Sequence, residues 1–215
     1  MKTFKIGLIR VLTTDDRELL NRHGKILQEN FPFFEVESRC IPEQYTGVHS
    51  EETHLKAVPK VVDLAVEMEK EGKDGIIISC AGDPGLEEAR QKLRIPVVGA
   101  GASAASIALG CSRRVGVLNL TESTPEGMKQ ILGKHLVAEE TVDAENTLEL
   151  MTLEGMESAV RSSFKLKSSG AEVIALACTG MSTIGAAARI KERIGIHVID
   201  PVIAEGMVMW SLLRF

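Results

Sequence analysis

Short apolar segments alternate along the chain with longer segments in which apolar residues recur at helical spacing. Seven apolar segments are predicted to be strands: 5–12, 34–41, 74–80, 95–99, 114–120, 172–178 and 196–200. Several of them are apolar at nearly every position, which is typical of parallel strands that are covered on both faces. Segments such as 51–71, 149–169 and 182–193 are predicted to be helices. This alternation predicts an α/β protein with doubly wound, mainly parallel sheets.

Two pairs of segments in the sequence resemble each other, which indicates an internal repeat. The segment "KIGLIRVLTTD" (5–15) aligns with "RVGVLNLTEST" (114–124), and "DGIIISCAG" (74–82) aligns with "EVIALACTG" (172–180). The repeat predicts two pseudo-symmetric lobes, with an active-site cleft between them. We expect the first lobe to comprise 1–98 plus 201–215 and the second to comprise 99–200. The C-terminal segment has apolar residues at helical spacing, so it is predicted to pack on the first lobe.

Composition and charge exclude several classes of partner. The 215 residues are 44% hydrophobic and 26% charged, as in ordinary globular proteins. The formal net charge is −5, no basic face is visible and only 4% of residues are aromatic, so nucleic acid is not an expected partner. No signal peptide and no membrane-spanning apolar segment are visible, so we expect no membrane partner and a cytoplasmic location. The four cysteines lack CxxC spacing and are expected to be reduced.

Two of the cysteines, Cys80 and Cys178, end equivalent strands of the repeat. Open parallel sheets bind ligands at the carboxyl ends of their strands. One thiolate could therefore remove a proton from a stereogenic carbon, and the opposite thiol could return a proton to the other face. Sulfur suits this role because its pKa lies near working pH. The alternatives are small buried hydrophobes or a redox disulfide. Cys40 and Cys111 lack this context and are interpreted as structural.

Each of these two thiols is also expected to lie near the N-terminus of a helix. After the first cysteine, Asp83 is predicted to be the N-cap and Pro84 the first helical residue. After the second cysteine, Ser182 or Thr183 is predicted to cap the next helix. The amide groups and the dipole at a helix N-terminus favour a thiolate, so this placement would support acid/base chemistry.

The residues around the cysteines resemble a known family. The segments "SCAGDPG" (79–85), "RIPVVGAGASAA" (94–105), "ACTGM" (177–181) and "HVIDPVIAEG" (197–206) are similar to the aspartate/glutamate/hydantoin racemase superfamily, in particular its hydantoin and allantoin racemase branch. The resemblance implies two α/β lobes with the site between them, no cofactor, and a homo-oligomer. It assigns the acid/base roles to Cys80 and Cys178. Hydantoin racemases commonly carry Asn-Pro-Asn after the first strand, where this chain has "IRVLTTD" with Arg10.

Several loops are predicted to bind substrate. The loop "NLTESTPEG" (119–127) follows a strand, and Thr124 is predicted to cap the next helix with Pro125 in its first turn. Its hydroxyl and amide groups suit a carboxylate or imide oxygen, although they also suit a plain turn. Amides near the cysteines could stabilise an enolate oxygen. Arg10, opposite Asn119 in the repeat, is predicted to bind an acidic substituent or to be a surface residue. The predicted substrate-binding residues are Arg10, Gly82, Asp83, Asn119, Thr121, Ser123, Thr124, Thr179 and Gly180.

Other signals in the sequence are weaker. The segment "VGAGASA" (98–104) contains a short dinucleotide fingerprint, but no acidic residue ends the next strand, so we expect no nucleotide cofactor. His49 and His54 lack the spacing of metal ligands and are interpreted as structural, and we expect no metal. Asp200 is predicted to cap the last helix or to support the second cysteine. Glu205 is interpreted as a solvated charge.

The sequence therefore predicts a cofactor-independent racemase or epimerase that acts on a small molecule with an acidic C–H next to a carbonyl. A 5-substituted hydantoin or a related ureide is the expected substrate. The alternatives are an amino-acid racemase of the aspartate/glutamate type and a maleate-type cis/trans isomerase. Outside the enzymes, the alternative is a two-lobed small-molecule binding protein without turnover.

Overall fold

The computed structural model describes residues 2–144, 147–150 and 152–214. Its strands are β1 (Phe4–Arg10), β2 (Phe34–Cys40), β3 (Gly75–Ile78), β4 (Val97–Gly99), β5 (Val115–Asn119), β6 (Leu136–Thr141), β7 (Val173–Leu176) and β8 (His197–Ile199). Its α-helices are α1 (Arg17–Asn30), α2 (Glu51–Lys70), α3 (Leu86–Lys92), α4 (Ala100–Cys111), α5 (Glu126–Leu132), α6 (Thr147–Leu150), α7 (Leu153–Ser168), α8 (Gly180–Thr183), α9 (Ala186–Ile194) and α10 (Pro201–Arg214). A short 3-10 turn, Gly133–His135, precedes β6.

The described chain divides into two compact units, with the divisions between Ala100 and Gly101 and between Ala204 and Glu205. The first unit therefore contains β1 to β4 and most of α10, and the second contains β5 to β8. The lobe boundaries expected from the sequence, 98/99 and 200/201, lie a few residues before these divisions.

The first unit has a four-stranded sheet in the order β2-β1-β3-β4, and every neighbouring pair is parallel. All four residues of β3 are buried, as the apolar pattern predicts for a strand covered on both faces. Gly7 in β1 lies directly under α2, since a Cβ there would come within 2.9 Å of the Met68 side chain. This glycine therefore allows the helix to pack closely on the sheet.

The second unit has the same arrangement, with the order β6-β5-β7-β8 and parallel pairing throughout. Gly116 takes the place that Gly7 has in the first unit, because a Cβ there would lie 2.8 Å from Ala171 Cβ and 3.3 Å from Leu166 Cβ. The predicted parallel α/β fold is thus confirmed, with two four-stranded sheets.

Strand β6 is absent from the strands that the apolar pattern predicts. This strand, "LVAEET", lies at the edge of its sheet, and none of its residues is fully buried. An edge strand needs apolar residues on fewer positions than a central strand, so β6 has no long apolar segment to reveal it.

The C-terminal helix α10 supplies an aromatic anchor to the first unit. Its Trp210 stacks on Phe33 with ring centroids 3.5 Å apart, and it meets Phe4 edge-on at 6.2 Å. These contacts bury apolar surface from the last helix against residues near the first strand. Across the described residues, none of the helices has the length and apolarity that crossing a membrane requires.

Candidate active site

Cys80 lies at the carboxyl edge of the first sheet, two residues after the end of β3. The Ser79 amide donates to the Ile9 carbonyl at 3.0 Å and ties the chain to β1 one residue before the thiol. The Cys80 amide then donates to the Ile78 carbonyl at 2.9 Å, which turns the chain away from the strand. The Cys80 side chain is half-buried. It stands at the kind of strand end where parallel sheets bind ligands.

The loop after Cys80 does not form the helix cap that the sequence predicts. Helix α3 begins at Leu86, and its N-cap is Gly85, which has a left-handed φ of 74°. The Leu86 amide donates to the Asp83 carbonyl at 3.2 Å, so this segment has the hydrogen bond and the Gly85 torsions of a type II turn. Such turns prefer proline second and glycine third, which explains why Pro84-Gly85 forms a turn instead of starting the helix.

Asp83 has a different role from a cap. Its φ of 48° lies in the left-handed region, where aspartate is among the few non-glycine residues found. Its carboxylate lies against Gly99 at the end of β4, in the space that a Cβ at position 99 would need. Its amide donates to the Cys80 carbonyl at 3.0 Å. Backbone and side chain together hold Asp83 at the sheet edge beside the cysteine.

A histidine that the sequence analysis interprets as structural lies beside this loop. His54 is in the first turn of α2, which a capping box of Ser50 and Thr53 stabilises. A Cβ added at Gly82 would lie 3.6 Å from His54 Nδ1 and 3.7 Å from Cys80 Sγ. The imidazole and the thiol therefore border the same small space over Gly82. Histidine spacing cannot reveal this neighbourhood, because it depends on where α2 meets the loop after β3.

Arg10 ends β1 and has only 5% of its surface exposed, so its interpretation as a surface arginine is wrong. Its Nη1 donates to the carbonyl of Leu19 at 2.6 Å and to that of Leu20 at 3.2 Å, both in α1.

Burial raises the pKa of the neighbouring Cys40 thiol, while a hydrogen bond from the Thr14 backbone and the Arg10 charge oppose that rise. The raised pKa keeps Cys40 in its thiol form, which is consistent with a structural role.

The interpretation of Glu205 as a solvated charge is also wrong. Its side chain is fully buried, and Oε1 accepts a hydrogen bond from Ser79 Oγ at 2.8 Å. Met209 lies one turn after Glu205 on the same face of α10, and its buried side chain packs against Gly75 of β3, so this face of the helix points inward. The available sequence signal was a carboxylate between Ala204 and Gly206 on an otherwise apolar helix.

Cys178 lies at the carboxyl edge of the second sheet and is half-buried. The Ala177 amide donates to the Leu118 carbonyl at 2.9 Å, so the chain stays joined to β5 until one residue before the thiol. The Met181 amide donates to the Cys178 carbonyl at 3.1 Å, and the chain enters the helical turn of α8 directly. Cys178 thus follows β7 just as Cys80 follows β3.

The helix caps predicted after Cys178 are wrong. Ser182 and Thr183 both lie within α8, whose first residue is Gly180 and whose N-cap position is Thr179. Helix α9 begins after Gly185, which has a left-handed φ of 67° and provides no side-chain cap. The predicted substrate-binding amides of Thr179 and Gly180 therefore stand at the start of a helical turn, next to the thiol.

Asp200 links that turn to the last helix. Its Oδ1 accepts hydrogen bonds from the amides of Val202 at 2.9 Å and Ile203 at 3.1 Å, so Asp200 caps α10 as predicted. The same oxygen accepts a hydrogen bond from Ser182 Oγ at 2.7 Å. Burial raises the pKa of Asp200, and these hydrogen bonds oppose the rise. Ser182 thus donates its hydroxyl proton to Asp200 instead of capping a helix, and the N-cap of α9 is Gly185.

The loop after β5 is built around two buried side chains. Thr124 Oγ1 donates to Asn119 Oδ1 at 3.1 Å, and the Thr124 amide donates to Glu139 Oε1 at 3.3 Å. The predicted Thr124 cap is therefore wrong: α5 begins at Glu126 behind Pro125, with no side-chain cap. The Thr124 hydroxyl is used inside the loop, where it fixes the loop rather than the helix.

The other two predicted substrate-binding residues of this loop, Thr121 and Ser123, are nearer the surface. Thr121 is half-buried and its Oγ1 donates to the Ser123 carbonyl at 3.2 Å, and Ser123 is exposed. The β5–β7 register pairs Leu118 with Leu176, so this loop and Cys178 leave the same edge of the sheet.

The structure brings the predicted site residues to the carboxyl edges of their sheets. The first unit holds Arg10, Cys80, Gly82 and Asp83 at this edge, and the second holds Asn119, Thr121, Ser123, Thr124, Cys178, Thr179 and Gly180. Within the described part of the chain, no three or more histidine, cysteine and acidic side chains form a cluster that could hold a metal ion.

Two parallel α/β units of the same strand order, each with a thiol after its third strand, define the fold of a two-lobed racemase. The chain belongs to the Asp/Glu/Hydantoin racemase family, whose model matches residues 17–205.

Curated relatives and solved structures agree with this assignment. A hydantoin racemase of Rhizobium meliloti is 31% identical over 73% of this chain and 67% of its own length. A hydantoin racemase of Pseudomonas sp. (strain NS671) is 26% identical over 69% of this chain, and the match spans only 61% of that relative. The allantoin racemase from Klebsiella pneumoniae has the same fold, with a TM-score of 0.85 over 98% of this chain and 88% of that one, at 23% identity.

Proposed function

We propose that this protein is a cofactor-independent racemase or epimerase of a 5-substituted hydantoin or a related ureide, with Cys80 and Cys178 as its acid/base pair. The observation that carries the proposal is the equivalent placement of two half-buried thiols, each two residues beyond its central strand. A single thiol at a strand end is an ordinary buried residue, whereas racemisation needs a proton donor and a proton acceptor.

The chemistry requires one thiolate and one thiol. The thiolate takes the proton from the stereogenic carbon, and the electron pair of the broken C–H bond moves onto the neighbouring carbonyl oxygen as an enolate. The other thiol then delivers its proton to the opposite face of that carbon, and the enolate electrons return to form the new C–H bond. The two thiols exchange protonation states in each turnover, so the reverse reaction uses them in the opposite roles.

The enolate oxygen needs hydrogen-bond donors. The amides of Gly82, Thr179 and Gly180 are the candidates in our proposal, because each follows a cysteine within two residues. Donors that are fixed in place before the charge develops are among the largest contributions to catalysis. Thr121 and Ser123 are the candidates for the remaining polar atoms of the substrate.

Chemical acidity favours a hydantoin or ureide over an amino acid. The ring carbon of a hydantoin lies next to a neutral carbonyl, so its deprotonation creates one negative charge. The α-carbon of an amino acid lies next to a carboxylate, and its deprotonation would place a second charge beside the first. A thiolate is a modest base, and the neutral ring is the better match for it. The names of the curated relatives support the same substrate class.

Solvent-deuterium exchange tests the proposal. Each enantiomer of 5-benzylhydantoin and of allantoin is incubated in deuterated buffer, and proton NMR and chiral chromatography follow exchange and racemisation. We expect racemisation with deuterium incorporation in the product. Cys80→Ser and Cys178→Ser should each reduce racemisation by about 10²- to 10⁴-fold, because each removes an acid/base group.

Cys40→Ser and Cys111→Ser are the matched controls, and both should racemise like the unmodified protein. Full racemase activity in either Cys80→Ser or Cys178→Ser would refute the two-thiol mechanism. Binding of the hydantoin without exchange in any variant would identify a binding protein instead. Homo-oligomerisation and a cytoplasmic location stay predictions.

A further inference from the structure

Three buried polar side chains of the first unit meet at Ser79, the residue before Cys80, and the mechanism proposed above uses none of them. His23 on α1 and Glu205 on α10 are fully buried, and Ser79 after β3 is 2% exposed. Ser79 Oγ donates to Glu205 Oε1 at 2.8 Å, and His23 Nδ1 lies 3.0 Å from Ser79 Oγ. One serine hydroxyl thus contacts two buried ionisable side chains, the His23 imidazole and the Glu205 carboxyl group.

One serine hydroxyl can serve both neighbours. A serine hydroxyl has one proton, which Ser79 donates to Glu205 Oε1. The same oxygen accepts from the imidazole in the His23 tautomer that carries its proton on Nδ1. Ser79 is the central member of the three, because its hydroxyl oxygen contacts both the His23 imidazole and the Glu205 carboxyl group.

Close packing brings the carboxylate to the serine. A Cβ at Gly206 would clash with the Phe31 ring and would lie 2.7 Å from Leu27 Cδ2, so α10 lies directly against α1 at this point. Glu205 is the preceding residue of α10. Buried polar groups are costly unless they are hydrogen-bonded, so the chain of bonds favours one placement of α1, α10 and the end of β3.

Ser79 is also the last residue that the sheet holds before the thiol. Its amide donates to Ile9 in β1, and the next amide, that of Cys80, turns back to Ile78. The chain leaves the sheet at this point. The side-chain bonds of Ser79 therefore fix the backbone from which Cys80 projects.

We propose that His23, Ser79 and Glu205 are positioning residues for Cys80, which bind the end of β3 to α1 and α10 and so hold the thiol in its reactive orientation. This inference rests on the proposed role of Cys80 as an acid/base group. It assigns no contact with substrate to the three residues, because they act through the backbone of the serine next to the cysteine.

Site-resolved alkylation of the folded protein tests the proposal without a substrate. Iodoacetamide is added under native conditions, and peptide mass spectrometry gives separate rates for Cys80 and Cys178. Ser79→Ala removes both bonds, and we expect the rate at Cys80 to change at least about threefold while the rate at Cys178 stays constant. Ser38→Ala is the matched control, since Ser38 is a buried serine of the same sheet whose Oγ has no hydrogen-bond partner within the described residues.

Kinetics on the hydantoin substrate provide the second readout. Misplacement of a reacting group lowers kcat, so Ser79→Ala should lower kcat by about 10- to 100-fold with a smaller change in KM. Glu205→Gln keeps an oxygen that accepts the Ser79 hydrogen bond and should retain most of the activity. Glu205→Met fills a similar volume without an acceptor and should behave like Ser79→Ala.

The possible outcomes separate the two proposals. Folded Ser79→Ala protein with unchanged alkylation rates and kcat would overturn the positioning role, even if its thermal stability fell. If Ser79→Ala does not fold, equal alkylation rates and kcat in Glu205→Gln and Glu205→Met would overturn it instead. Full activity of Cys80→Ser would refute the proposed function, while a changed Cys80 alkylation rate in Ser79→Ala would still support the positioning of the thiol.

Discussion

Cys80 and Cys178 follow equivalent strands of two sheets with the same strand order, yet the chain leaves each sheet in a different way. After Cys80 it makes a tight turn and then a type II turn with a strained Asp83. After Cys178 it enters a helical turn at once. The repeat has therefore preserved the position of the thiol but not the geometry of the donors around it.

The hydrogen-bonded side chains near the two cysteines in the sequence differ as well. A buried serine between an imidazole and a carboxylate supports the first thiol, with Ser79 at its centre. In the second unit, Ser182 of α8 donates to the helix cap Asp200. In the mechanism proposed above, each thiol meets only one face of the substrate, so the two thiols do not need identical surroundings. We therefore propose that each thiol is specialised for one enantiomer.

The largest expected effect follows from that specialisation. Cys80→Ser and Cys178→Ser should each still exchange the ring proton of one enantiomer with deuterated solvent, and the enantiomer should differ between them. The remaining thiolate faces only one of the two enantiomers correctly, so the other should exchange about 10²-fold more slowly or less. Proton NMR of each pure enantiomer measures this. The same enantiomer exchanging in both variants would contradict the assignment of one thiol to each face.

The next effect compares two helix caps. Asp200→Ala removes three hydrogen bonds, one of them from Ser182, and should lower the free energy of unfolding by about 2 kcal/mol. Asp16→Ala removes a cap of α1 that accepts only from the amides of Glu18 and Leu19 on the surface, and should cost about 1 kcal/mol. Urea unfolding measures both. Equal losses would show that the burial of Asp200 cancels the gain from its third hydrogen bond.

Much of the fold could be predicted from the sequence, because burial of central parallel strands leaves a strong apolar pattern. The repeat also located both cysteines at strand ends. The apolar pattern did not predict β6, because an edge strand can be largely polar. It also did not predict which residue begins each helix where several candidates for the N-cap are adjacent. Thr124 and Ser182 have good capping side chains, but each donates its hydroxyl to an oxygen within its own unit.

The surroundings of Cys80 could not be predicted for a different reason. Glu205 contacts Ser79, and His54 lies beside Gly82 and Cys80. In both cases the neighbouring residues are far away in the sequence. Ser79 and Glu205 are separated by 126 positions, and no local spacing connects them. An inward carboxylate on an apolar helix is the kind of exception to the hydrophobic pattern that marks a site of this sort.

Substitutions at Gly82 test the surroundings of Cys80, and we expect them to lower racemisation less than the cysteine substitutions do. A Cβ there would meet His54 and Cys80 at ordinary contact distances, so Gly82→Ala should fold normally. The larger side chain of Gly82→Val should fill the space that both groups border and should lower racemisation about tenfold. Gly127→Val in α5 is the control, since a Cβ there meets nothing within 4 Å. Wild-type rates in Gly82→Val would show that the substrate does not use this space.

The smallest effect is a pH dependence with a defined sign at Asp200. Burial raises its pKa in the folded protein, whereas in the unfolded chain the pKa is about 3.9. Between those two values the native state binds more protons than the unfolded state, so the carboxyl group lowers stability as the pH rises. The free energy of unfolding of the unmodified protein, relative to that of Asp200→Asn, should fall as the pH rises above about 3.9 and level off above the folded pKa.

Glu139 gives the opposite sign in the same unit and serves as the comparison. Hydrogen bonds from Thr124 lower the pKa of its carboxyl group, so its contribution is fully present above the unfolded value of about 4.3 and is lost as the pH falls through the folded pKa. Relative to Glu139→Gln, the unmodified protein should therefore gain stability as the pH rises. Urea titrations from low to neutral pH measure both differences. A rising curve for Asp200 would mean that its three hydrogen bonds outweigh its burial, and that the N-cap of α10 is a stabilised carboxylate.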